Sequence, residues 1–190
     1  MSTKKIMVIR HAEKPTGEPG DETGVMPDGT ANKEALTATG WKRAQALVGL
    51  FNPVGGQFKS PELARPLHLF ASVPSSVDES LRPVQTVTPL SQALGLNIDQ
   101  SFGKDDEKDL VQAAKSAGGV VLIAWQHERI PKIAGHILGE DRQYPAKWDS
   151  ARFDLVWVFD RQGTAGSWSF AQVPQLLLPG DSPAPIPLNE

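Results

Sequence analysis

The sequence predicts a three-layer α/β/α sandwich with a mostly parallel central sheet and a C-terminal antiparallel hairpin, and three observations carry that expectation. Residues 6–9 and 120–124 are apolar at every position, as strands buried on both faces of a parallel sheet are. The segments between them place apolar residues at helical spacing. Near the end, two β-rich runs flank a stretch of turn formers. Strands that alternate with helices cover a parallel sheet on both faces.

Element by element, residues 6–9 read as the first strand. Residues 14–35 are rich in Gly, Pro, Asp and Thr and have no apolar period, which makes them a long loop. Loops of that length in compact domains are usually functional or disordered. Thr39 is the expected N-cap of a helix whose Trp41, Ala44, Leu47, Val48 and Phe51 share one face. A Pro/Gly-rich connection over 52–66 leads to a second strand at 67–72. Ser80 or Asp78 then caps a helix with Leu81, Val84, Val87 and Leu94 on one side. Pro83 suits its first turn, and Pro89 is expected to kink or split it.

Residues 106–117 form a third amphipathic helix through Leu110, Val111 and Ala114, stopped by Gly118-Gly119. After the strand at 120–124, Ile130, Ile133, Ala134, Ile137 and Leu138 mark a fourth helix ended by Gly139. Residues 153–160 and 168–173 are the hairpin strands, joined by a turn over 161–166. One domain is expected over 1–178, followed by a Pro-rich tail over 179–190 that lies on the surface or is disordered.

Composition removes several function classes. The net charge of −3 gives no basic footprint for nucleic acid, so an anionic substrate has to be held by a local cluster. The absence of Cys excludes disulfides, thiolate metal sites and a cysteine nucleophile. No apolar run reaches the roughly 18 residues that a membrane helix needs, and the first ten residues lack a signal-peptide core. A cytoplasmic protein without a nucleic-acid or membrane partner is expected; the sequence leaves its oligomeric state open.

Chemistry concentrates at one edge of this sheet. Parallel α/β sheets bind ligands at the carboxyl ends of their strands. Arg10-His11 follows the first strand there, Gln126-His127-Glu128 follows the strand at 120–124, and Arg82 opens the helix after the second strand. Two imidazoles and two guanidiniums can thus converge from three distant segments. That set suits phosphoryl transfer. Arginine forks bind a phosphate dianion, a neutral imidazole can attack phosphorus, and a carboxyl can move the proton. Lys14 is near enough in sequence to touch a substrate, and Gln126 borders the same edge. Metal binding through His11, His68, His127 and His136 is disfavoured, because "HERIPKIAGH" lacks the i, i+4 histidine pair of a zinc helix. No cofactor is implied.

With these residues in view, the chain resembles the histidine phosphatase (phosphoglycerate mutase-like) superfamily. The family's Arg-His-Gly stands here as Arg10-His11-Ala12. Its "LTxxGxxQA" corresponds to the stretch Leu36-Thr37-Ala38-Thr39-Gly40, with Gln45-Ala46 taken for the final pair. Its "RxxQT" is Arg82-Pro83-Val84-Gln85-Thr86, and its late strand-then-histidine ends at His127. The resemblance covers roughly residues 4 to 160. It implies that His11 is the phosphorylated nucleophile and that Arg10, Arg82 and His127 form the phosphate pocket. It also implies a phosphomonoester hydrolase acting on a small phosphorylated substrate or a phosphoprotein. The "ERxYGxLxG" segment of mutases is absent. No acidic residue clearly matches the one that usually follows "RxxQT", although Asp105, Asp106 and Glu107 lie in that region. His127-Glu128 is similar to the His-Asp pair of the acid phosphatase and phytase branch. Glu128, with a raised pKa, is therefore the expected proton donor, and Asp105 or Asp106 the alternative. A phosphate-binding protein without turnover and a phosphomutase are the rival readings.

Overall fold

The first strand, β1 (Thr3–Arg10), explains the layers. Its side chains alternate between two faces, and both faces are dry. Ile6 and Val8 join a core that includes Leu110 and Val111 of α3 (Glu107–Ala117) and Ile130 and Ile133 of α4 (Ile130–Leu138). Met7 and Ile9 point the other way, into a core with Leu47, Leu50 and Phe51 of α1 (Ala38–Phe51) and Val87 and Leu90 of α2 (Arg82–Leu94). All four β1 residues are fully buried. This computed structural model describes residues 3–76, 78–139, 143–163 and 166–188.

The remaining strands are β2 (His68–Ala71), β3 (Ile98–Asp99), β4 (Gly119–Trp125), β5 (Leu155–Gln162) and β6 (Ser167–Pro174), in the order β3-β2-β4-β1-β5-β6. The β3-β2, β2-β4 and β4-β1 pairs are parallel; β5 runs antiparallel to β1, and β6 to β5. Arg10 pairs with Trp125 and Ala71 with Ala124, so three parallel strands end at one level. The residues that follow them, His11, Ser72 and Gln126, share that edge. The expected turn over 161–166 contains residues 164 and 165, which lie outside the described residues.

Local chemistry corrects the expected caps of α1 and α2, leaves α2 unsplit at Pro89, and adds a strand. Thr37, not Thr39, caps α1: its Oγ1 accepts from Gly40 N at 3.1 Å, while the Thr39 hydroxyl donates to Glu22. Neither Ser80 nor Asp78 caps α2; the N-cap is Leu81, with no side-chain bond, and Pro83 stands in the first turn. Asp78 instead accepts from Ser80 N in a local turn. Pro89 does not split α2, because Val87 and Leu90 bury beside α1 and packing holds the helix through the missing bond. The strand β3 has no counterpart in the expected elements. At two residues it is too short for any periodicity to register.

Residues 179–188 carry no helix or strand, yet they dock on the sheet. Ile186 is buried, its N–H donates to Gln172 Oε1 at 3.0 Å, and its carbonyl accepts from Gln172 Nε2 at 2.8 Å. No helix among the described residues is long and apolar enough to cross a membrane.

Candidate active site

The three motif segments are stitched together by the side chains of α2. Gln85 Oε1 accepts from Leu36 N at 2.8 Å, and Thr86 Oγ1 accepts from Ala12 N at 2.8 Å while donating to Arg82 O. One helix thus fixes both the loop after β1 and the entry to α1. Gly40 has a steric reason: a Cβ there would lie 2.5 Å from Glu13 O. The residues at the motif's Gln-Ala spacing are Arg43-Ala44, both buried, whereas Gln45 is exposed. Arg43 Nε donates to Glu13 Oε1 at 2.8 Å, and its terminal nitrogens bind both oxygens of Asp181, at 2.7 and 3.1 Å. A further bond reaches Gln175 Oε1 at 3.0 Å. The C-terminal tail is thereby tied to the residue two places after His11.

His11 is 4% exposed, and its Nδ1 lies 2.7 Å from Ala12 O. A carbonyl only accepts, so Nδ1 carries the proton and Nε2 keeps a lone pair. Burial, and then the charge of Arg10, pushes the His11 pKa well below its ordinary value and outweighs the Ala12 bond. The ring is therefore neutral at pH 7. Arg10 lies 1% exposed with its guanidinium 3.6 Å from the centre of the Phe153 ring. One terminal nitrogen donates to the carbonyls of Ser150 and Arg152; Nε and the other terminal nitrogen have no partner. Burial lowers the Arg10 pKa to about 10, against the pull of Glu128 and Glu13, which leaves it charged.

Across the pocket, Arg82 donates to the carbonyls of Lys33 and Ala35 and pairs with Glu34 at 3.3 Å. His127 Nδ1 lies 3.0 Å from Glu128 Oε2, and Lys104 Nζ lies 2.6 Å from Glu128 Oε1. The His127 bond, and then Lys104, holds the Glu128 carboxyl well below the usual carboxylate range despite partial burial. The expected raised pKa is corrected: both oxygens are paired with cations or N–H donors, so the unliganded side chain is an anion. Gln126 Nε2 donates to Ser72 Oγ at 2.8 Å and Asp78 Oδ2 at 3.0 Å.

These groups line a cavity of about 500 Å³ that takes in His11, Lys14, Arg82, Gln126, His127 and Glu128. Arg10 lies beside it without contributing to its surface. Neither alternative proton donor reaches it: Asp105 pairs with Arg129, and Asp106 Oδ2 accepts from Gly103 N. Ser76, Asp78, Glu79, Ser80, Glu34 and Lys104 also line the cavity, and no sequence motif marked them. Lys104 comes from the irregular segment between β3 and α3, where no spacing rule applies.

Neither a protein-family model nor a curated protein matches this sequence. Solved structures do match its fold. A candidate phosphohistidine phosphatase, SixA, from Agrobacterium tumefaciens superposes with a TM-score of 0.50 at 16% identity, over 89% of this chain and 97% of that one. A candidate alpha-ribazole-5'-phosphate phosphatase from Escherichia coli gives 0.52 at 12% identity, over 89% and 95%. The β1 tip, the α2 stitches and the α1 entry are thus set in the phosphoglycerate mutase-like fold, the fold of the histidine phosphatase superfamily.

Proposed function

We propose that the chain is a metal-independent phosphomonoester hydrolase of the histidine phosphatase superfamily that works through a phosphohistidine on His11. The observation that carries this reading is an oriented, neutral imidazole beside an arginine with two unused buried donors. Buried polar groups are almost always paired, so orphan donors beside a nucleophile imply a ligand with acceptor oxygens. The phosphatases named for the two similar structures agree with it.

In the first half-reaction Nε2 of His11 attacks phosphorus, the N–P bond forms and the P–O ester bond breaks. The leaving oxygen takes a proton. In the second, water attacks phosphorus, the P–N bond breaks and phosphate departs. Arg10 and Arg82 neutralise the phosphoryl oxygens. His127, with Nδ1 held by Glu128, keeps Nε2 free of that pair to serve the same group. Glu128 begins ionised, and a phosphate bound nearby places a second anion beside it, which raises its pKa. It then takes the proton of a substrate monoanion and passes it to the leaving oxygen, and later accepts one from water. A cytoplasmic location and a small phosphorylated substrate or phosphoprotein belong to the same reading.

The paired state of Glu128 favours one rival, a protein that binds phosphate without turnover for want of a proton donor. Steady hydrolysis of p-nitrophenyl phosphate, unaffected by EDTA, supports the enzyme. Tight phosphate binding without turnover supports the rival, and loss of activity in EDTA with recovery on added zinc overturns metal independence.

A further inference from the structure

We infer that the substrate is the monophosphate of a neutral, polyhydroxylated alcohol, a sugar or polyol; the inference rests on the hydrolase reading above. Beyond the groups around the phosphate, the cavity is walled by Ser76, Asp78, Glu79, Ser80 and Lys104. Among the described residues that line it, the imidazoles of His11 and His127 are the only rings and none is an aliphatic hydrophobe, although ligand pockets are usually lined mainly by apolar groups. An apolar leaving group would displace water from these charged side chains and pair none of them. A nucleobase would find no ring to stack against beyond the two imidazoles assigned to the phosphate.

Anionic leaving groups fit no better, because Lys104 on this wall is already committed to carboxylates. Lys104 lies 2.6 Å from Glu128 and 3.5 Å from Asp78, and these carboxylates, outweighing its burial, raise its pKa. Arg82, which also bonds Glu34 and two carbonyls, is taken up by the transferred phosphoryl group in the reading above. Lys14 lines the cavity together with the carboxylates of Glu34, Asp78 and Glu79. A second phosphate or a carboxylate would therefore have to break an ion pair to reach Lys104, and would meet the Asp78 and Glu79 carboxylates beside it. Hydroxyl groups meet no such barrier. Each can donate to a carboxylate and accept from an ammonium or a serine hydroxyl, and the wall offers all three.

The test compares kcat/KM for glucose 6-phosphate and sorbitol 6-phosphate with that for fructose 1,6-bisphosphate, 3-phosphoglycerate, adenosine monophosphate and 2-phenylethyl phosphate. The hydroxylated monophosphates should lead by about tenfold or more, as a site built for hydrogen bonds rejects ligands that leave them unmade. Preference for any of the other four overturns the inference. Glu79→Lys adds an uncommitted cation and should move the preference toward 3-phosphoglycerate; no movement counts against the charge argument. If even p-nitrophenyl phosphate is not hydrolysed, the hydrolase reading falls. The cavity's preference is then judged by calorimetric binding of the same compounds to wild type and His11→Ala. Tighter binding of the hydroxylated monophosphates upholds the inference, and equal or weaker binding overturns it.

Discussion

Arg10 and Arg43 are both nearly excluded from solvent, at 1% and 4% exposure, yet their guanidiniums are in opposite states. Arg43 is bound by Glu13, Gln175 and both oxygens of Asp181. Burial alone would lower its pKa, but Asp181 and Glu13 more than reverse this, so its charge is favoured. Arg10 meets two carbonyls, keeps two donors unpaired, and has its pKa lowered by burial. The difference separates a structural charge from one held ready for a ligand. A buried ion with all its partners fixes the fold, whereas one with unused donors is destabilised until an anion arrives.

The largest expected effect is on the structural side. Arg43→Met leaves the Asp181 and Glu13 carboxylates without their cation and should lower unfolding free energy by about 3–5 kcal/mol. Denaturant titration measures it; a loss no greater than that of Arg10→Lys would erase the distinction. Arg10→Lys should reverse the pattern. It keeps the charge but loses the fork, so kcat should fall by about 10²–10³-fold, as for removal of a preorganised donor, with a smaller change in stability. Full activity in Arg10→Lys would mean that the unused donors serve no ligand.

Asp181→Asn should cost about 1.5–3 kcal/mol, the range for a charge-assisted bond. The arginine bonds and the Leu177 and Leu178 N–H groups lower the Asp181 pKa against its desolvation. Its contribution is therefore full above the unfolded value of about 3.9 and lost as pH falls through the lower folded value. The wild-type advantage over Asp181→Asn should accordingly shrink in acid; an advantage constant to pH 2 would place the effect elsewhere. The smallest effect concerns His11. Because its folded pKa lies below the ordinary value of about 6.5, kcat/KM should show no loss from His11 protonation on crossing that pH downward. An acid limb at pH 6.5 that Glu128→Gln leaves in place would contradict this.

Much of this site was legible because its chemistry is local. Arg10-His11, Arg82 and His127 sit where strands end and a helix begins, and β-strand and helix periodicity locate those points. The stitches by Gln85 and Thr86 were visible only as letters of a motif; their partners, Leu36 and Ala12, lie 49 and 74 residues away. Thr37 and Thr39 compete for one cap, and the winner depends on how Glu22 and Glu13 approach α1. Lys104 and Asp181 come from irregular segments and act through contacts distant in sequence. Lys104 also adds to the His127 bond in holding Glu128 ionised, a contribution that the sequence around Glu128 does not show.

The most direct test is chemical trapping. Wild-type protein mixed with a labelled phosphomonoester and quenched in alkali should carry acid-labile, base-stable phosphate, mapped to His11 by mass spectrometry and formed fast enough to account for turnover. His11→Ala should fold and carry none. Phosphate on another residue, or turnover that persists in His11→Ala, would contradict the proposal that His11 is the nucleophile.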